Sequence, residues 1–158
     1  MKNEYYIENG VAYIHATGQT FMVDDEDLGI VSQYSWSINP RGYVMAKAHR
    51  KNISLHRLLL SFPDGIVDHI NRDKLDNRRS NLRVVNATES SRNRGVSKNN
   101  QSGFKGVSTC SGRAWKYRAQ INVDGKRVFL GHYKTAEEAH AAYVAAALKY
   151  FGEYTPLV

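Results

Sequence analysis

The chain has 158 residues, with 22 Lys/Arg against 15 Asp/Glu and a single cysteine, which excludes an intrachain disulfide and a cysteine-rich zinc finger. The net charge of +7 is unevenly placed: residues 1–91 carry eleven basic and eleven acidic side chains, whereas residues 92–158 carry eleven and four. A polyanion responds to such a local excess, and the absence of a long apolar run or a basic-then-apolar leader points to an intracellular protein without a membrane partner.

In chain order, Val11-Ala12-Tyr13-Ile14-His15 and Tyr43-Val44-Met45-Ala46 alternate apolar and polar residues between Gly10, Gly18 and Asn39-Pro40-Arg41-Gly42. These runs predict strands joined by turns. The acidic run Asp24-Asp25-Glu26-Asp27 precedes Leu28, Ile30, Val31, Tyr34 and Trp36, a pattern that predicts a short helix with carboxylates in its first turn. Leu55, Leu58, Leu59 and Phe62 recur at helical spacing before Pro63, so a buried helix is expected from Ile53 to Phe62. From Ile66 to Leu82 the chain turns from apolar to charged and back, and it ends on Val84-Val85. A hairpin or loop leading to a second helix fits that pattern.

Residues 92–103 are polar and rich in Gly and Asn, without apolar periodicity, and residues 95–101 read as a linker. Beyond them, Gly106 to Thr109, Trp115 to Val123 and Arg127 to Tyr133 predict a three-stranded antiparallel meander, with Ser111-Gly112 and Asp124-Gly125 as turns. Thr135 and Glu138 form a capping box for a closing helix with Ala139, Ala142, Tyr143, Ala146, Ala147 and Tyr150 on one face, ended by Gly152. The fold class is therefore α+β. Strand parity sets Tyr117, Ala119 and Ile121 toward the helix and leaves Arg118, Gln120 and Asn122 on a polar face, with Lys105, Ser108, Arg127 and Phe129 as neighbours. Such a face can enter a major groove, where Arg reaches guanine edges and Gln or Asn adenine edges.

Ser102-Gly103-Phe104-Lys105-Gly106-Val107, Trp115-Lys116-Tyr117-Arg118-Ala119-Gln120-Ile121 and Arg127-Val128-Phe129-Leu130-Gly131-His132-Tyr133 resemble the AP2/ERF DNA-binding domain. The likeness extends through Ala142-Tyr143 and assigns residues 102–158 to that domain. It implies double-stranded DNA as the partner and places Lys105, Gln120, Asn122, Arg127, Phe129 and His132 where family members touch DNA. Plant members carry Trp where Phe129 stands, so the target sequence does not transfer.

His56, Asp68, His69, Asn77 and Asn81 lie within 26 residues, beside Arg72, Lys74, Arg78, Arg79 and Arg83. Hydrolysing a phosphodiester needs a base to activate water and a cation to stabilise charge on phosphate, and a His next to a carboxylate suits both needs. Singly, His56 reads as a helix residue packing locally, and Asn77 and Asn81 as turn or capping residues. An EF-hand reading of Asp68 to Asn81 fails, because Gly is missing at its sixth position and Glu at its twelfth.

Together, Leu55-His56-Arg57-Leu58, Val67-Asp68-His69-Ile70-Asn71, Asp76-Asn77-Arg78 and Ser80-Asn81-Leu82-Arg83-Val84-Val85 resemble the HNH motif of phage and intron homing endonucleases. The stretch from Phe21 to Trp36 is similar to the leader that precedes this motif in phage proteins, and HNH followed by AP2 is a known phage arrangement. The resemblance implies a β-rich region at 1–52 and a ββα-metal module at 53–94, and a bacterial cytoplasm as the location. It further implies His69 as general base, Asp68 as a metal ligand for Mg²⁺ or Mn²⁺, Asn81 as the residue that braces the loop and orients His69, and His56 as a support of the site or a phosphate contact. Ser90 stands where family members commonly carry a second metal-binding Asn. Arg72, Arg78, Arg79 and Arg118 complete the expected DNA contacts. The expected activity is a metal-dependent, site-directed endonuclease acting as a monomer or weak dimer, and the alternative is a catalytically degenerate DNA-binding regulator.

Overall fold

The computed structural model describes residues 3–48, 50–111 and 114–152. Gly112 of the expected turn at Ser111-Gly112, and residues 153–158 of the expected C-terminal domain, lie outside the described residues. The fold is mixed α+β, built from several small antiparallel sheets and few helices. The chain divides into two units, Met1–Ser90 and Ser91–Val158.

The first unit opens with a three-stranded meander of β1 (Tyr5–Glu8), β2 (Val11–Ala16) and β3 (Gln19–Asp24). Its two hairpin loops, Asn9-Gly10 and Thr17-Gly18, have positive φ at both residues, the turn geometry whose twist matches the flanking strands. The predicted acidic helix is shorter than expected. A 3-10 turn at Asp25–Asp27 runs into α1 (Leu28–Val31), and Trp36 begins β4 (Trp36–Ile38) instead of extending the helix. The Trp36 indole donates to the carbonyl of Val31 at 2.9 Å, so one turn of helix is enough to bury it. Strands β4, β5 (Val44–Ala48) and β6 (Lys51–Ser54) form a second three-stranded sheet.

The helix expected over Ile53 to Phe62 is also truncated. Ile53 belongs to β6, α2 covers only Leu55–Leu59, and Phe62 is 50 % exposed. Ser61 and Phe62 both take positive φ, and their amides donate to the carbonyls of Leu58 and Arg57 at 3.0 and 2.7 Å. Those crossed bonds are a helix-ending motif that removes Phe62 from the apolar stripe.

Strands β7 (Ile66–His69) and β8 (Leu82–Val85) then pair as a hairpin, followed by α3 (Ala87–Arg92). Asn86 and Glu89 cap α3 reciprocally, each backbone amide donating to the other's side chain at 2.9 Å. One core holds the first unit: Ile14, Phe21 and Val23 from the first sheet meet Trp36, Val44, Leu55, Leu59, Val67 and Leu82. The leader and the hairpin therefore share their apolar interior.

In the second unit β9 (Val107–Thr109), β10 (Tyr117–Val123) and β11 (Lys126–Tyr133) form the predicted meander with β10 in the middle. Asp124-Gly125 turns the chain with positive φ at both residues. A bulge at Ala119/Gln120 lets β11 carry one extra residue. The capping box of Thr135 and Glu138 starts α4 (Ala136–Phe151), whose Ala136, Ala139, Tyr143, Ala147 and Phe151 are buried. Tyr150, expected on the inner face, is 44 % exposed, and Phe151 takes that place. Small alanines let the helix approach closely: Gly106, at φ +74°, has the Tyr143 ring 2.0 Å from where a Cβ would stand.

Candidate functional site

The site is assembled at the end of β7. Strand alternation sets Val67 and His69 inward and Asp68 to the other side, opposite Arg83, whose guanidinium lies 3.2 Å from the Asp68 carboxylate. The loop that leaves His69 is closed by Asn81. The Asn81 side-chain oxygen accepts from the amide of Asn71 at 2.9 Å, its NH₂ donates to the carbonyl of Asp76 at 2.7 Å, and its own carbonyl accepts from Ile70 at 2.8 Å. Asn81 is thus the knot that ties both ends of the loop.

The middle of the loop lies along the edge of β3. Met22 donates to the carbonyl of Leu75 and accepts from the amide of Asn77, both at 2.8 Å. Charge reinforces the seam, since Asp24 accepts from the amide of Arg79 at 2.8 Å and the buried Asp27 takes the Arg79 guanidinium at 2.7 and 3.0 Å. Arg78 grips Asp76 through two bonds of 2.8 and 2.7 Å, which hold the Asp76 carboxyl below its ordinary pKa. Arg78 and Arg79, expected from the sequence to touch DNA, have their guanidiniums committed to loop carboxylates. Arg72 is exposed and has a left-handed backbone.

His69 is 4 % exposed, and its Nε2 lies 3.2 Å from the side-chain oxygen of Asn77. The His56 ring meets it edge-on at 5.3 Å, and Tyr43 flanks both rings at 5.5 and 6.4 Å. Burial lowers the pKa of His69, opposed by the bond to Asn77 and the nearby Asp68. Burial, then the neighbouring His69 and Arg57, depress His56 to about 4. Both imidazoles are therefore neutral at neutral pH. His56 Nδ1 is buried without a hydrogen-bond partner. A groove lined by Tyr43, Ser54, His56, Arg57 and Val67 opens beside the pair.

The HNH endonuclease family model matches residues 61–92, which span this hairpin, its loop and α3. An uncharacterized HNH endonuclease of Acanthamoeba polyphaga mimivirus is 30% identical over 96% of this chain and 83% of its own length. The chain belongs to the HNH endonuclease family. It is accordingly a DNA endonuclease, a hydrolase of phosphodiester bonds.

HNH nucleases generally use a divalent metal ion. Among the described residues of this HNH endonuclease, no three His, Cys, Asp or Glu side chains converge as a metal cage. The donor set is a hard carboxylate, Asp68, beside the buried imidazole, with the Ser90 hydroxyl carried on α3. That set fits a hydrated ion such as Mg²⁺, which binds through one or two carboxylates with water and substrate phosphate completing its shell.

The HNH endonuclease carries a second polar surface on its C-terminal sheet. Register places Ser108, Arg118 and His132 side by side, then Gln120 with Phe129, then Asn122 with Arg127. Phe129 is 58 % exposed and packs edgewise on His132 with ring centroids 5.1 Å apart. Ser108 Oγ and Arg118 Nε on this face are buried without hydrogen-bond partners. Lys105, expected among these contacts, instead donates its amine to the carbonyls of Arg92 and Arg94. No helix among the described residues is long and apolar enough to cross a membrane.

The sequence reading missed Asn77, which it took for a turn residue. Asn77 is fully buried, and it, not Asn81, contacts the His69 ring. Its position in a loop carries no periodicity that would have shown this.

Proposed function

We propose that the protein is a metal-dependent, site-directed DNA endonuclease of homing type, carried by a phage or intron. In this reading residues 53–94 carry the HNH site and residues 102–158 form an AP2/ERF-like domain that addresses it to duplex DNA. The observation that carries it is a buried His69, hydrogen-bonded and adjacent to the Asp68 carboxylate. An imidazole that burial keeps neutral can take a proton at neutral pH.

His69 removes a proton from water, and the water oxygen forms a bond to phosphorus. The P–O bond to the leaving sugar oxygen breaks, and that oxygen takes a proton from solvent. Asp68, aided by Ser90 and water, would hold the divalent ion, which supplies positive charge against the phosphate. Asn81 keeps the loop closed beneath the reacting groups. His56 supports the His69 ring edge-on. Arg118, Gln120, Asn122, Arg127, Phe129 and His132 meet the DNA, and the two unpartnered buried atoms on that face favour an intended polar partner.

Supercoiled DNA incubated with the wild type and Mg²⁺ or Mn²⁺ is expected to give nicked or linear product. EDTA and His69→Ala should each abolish cleavage, with DNA affinity kept within a few-fold in the variant. Cleavage that survives His69→Ala removes the residue from the base role. A band shift without cleavage under any metal would assign the chain to the degenerate regulator.

A further inference from the structure

We infer that Asn77 is a positioning residue that fixes the tautomer of His69, so that the proton-accepting nitrogen is Nδ1. This rests on the reading of His69 as the base. The argument runs through the Asn77 amide, whose two ends have different partners. One end lies 3.1 Å from the backbone carbonyl of Lys74. A carbonyl only accepts, so that end is the NH₂. The other end, at 3.2 Å from His69 Nε2, is therefore the oxygen. An amide oxygen also only accepts, so Nε2 carries the hydrogen. In a neutral imidazole the other nitrogen then holds the lone pair.

The amide cannot rotate to reverse this assignment. Asn77 is 0 % exposed, and its backbone amide is pinned to the carbonyl of Met22 on the edge of β3 at 2.8 Å. Turning the side chain over would face two acceptors at Lys74 and lose the donor that carbonyl needs, the kind of unsatisfied burial that folded proteins avoid. The first sheet thus acts on the chemistry at one remove: β3 fixes Asn77, and Asn77 fixes the imidazole. The acidic residues Asp24 and Asp27, which repel phosphate on their own, hold the adjacent Arg79 and complete the clamp.

A nitrogen–proton multiple-bond correlation spectrum of the wild type at neutral pH, with His69 assigned by its loss in His69→Ala, is expected to show the Nε2–H tautomer. The Nδ1–H pattern overturns the inference. In Asn77→Ala the pattern should become mixed, and single-turnover cleavage should fall roughly 10- to 100-fold, the usual cost of removing a group that orients a functional imidazole. DNA affinity should stay within a few-fold. A folded Asn77→Ala that cleaves at the wild-type rate also overturns the inference. If that variant does not fold, the wild-type spectrum decides alone. If the wild type does not cleave DNA, the endonuclease reading falls while the tautomer remains decided by the spectrum.

Discussion

Replacing His56 by phenylalanine isolates the energetic cost of keeping an uncharged imidazole inside the site. His56 is 8 % exposed and its pKa is depressed from 6.5 to about 4, chiefly by desolvation. Above pH 6.5 neither the folded nor the unfolded chain holds the extra proton, and the folded state keeps its full stability. As pH falls from 6.5 through about 4, the unfolded chain binds a proton that the folded one refuses, so stability is lost. At pH 4.5 that difference amounts to about 2.5 kcal/mol by linkage, and to about 2 kcal/mol after allowing for solvent screening. The assay is urea unfolding at pH 7.5 and pH 4.5, followed by Trp36 fluorescence in a Trp115→Phe background. The wild type should lose about 2 kcal/mol more than His56→Phe between the two pH values, or about 4–8 °C in melting temperature. Parallel pH profiles for the two proteins would refute the reasoning and show that His56 protonates without resistance.

Gly106→Ala should unfold or loosen the second unit, because the added methyl meets the Tyr143 ring and the position requires positive φ; loss of DNA retention together with lowered helix content on circular dichroism checks it. Asp27→Ala strands the Arg79 guanidinium and should cost the first unit about 1–3 kcal/mol in urea unfolding, with cleavage reduced more than DNA binding. Arg118→Ala and Gln120→Ala should each weaken binding to a preferred duplex by about 1–3 kcal/mol, as read by titration against specific and scrambled sequences. Binding by the wild type should weaken steeply with salt, by about 0.9 in the log–log slope per neutralised phosphate, and a flat salt response would remove the DNA-reading role of the sheet.

The C-terminal unit was legible in the sequence because its determinants are local. Alternation along Tyr117 to Val123, the Asp124-Gly125 turn and the Thr135/Glu138 capping box each act over a few residues, and the structure contains all three. The strand at Val11 and the Asp68-His69 pair before a polar loop were readable for the same reason. What the sequence left undecided depends on partners far away in the chain. The apolar spacing from Ile53 to Phe62 suits a helix equally well whether it is five residues or ten, and only the backbone reversal at Ser61 and Phe62, set by the surrounding packing, ends it at Leu59. Counting charge shows a basic loop, but it does not show that Arg79 is taken by Asp27, 52 residues away. Asn77 is the strongest case. Alone it is a polar residue in a turn, and it becomes the partner of His69 because β3 holds its backbone and Lys74 dictates which way its amide faces. Sequence by itself therefore determined which groups are available for chemistry. Tertiary structure decided which of them are already occupied, because hydrogen bonds and ion pairs are satisfied by whatever the fold brings within about 3 Å.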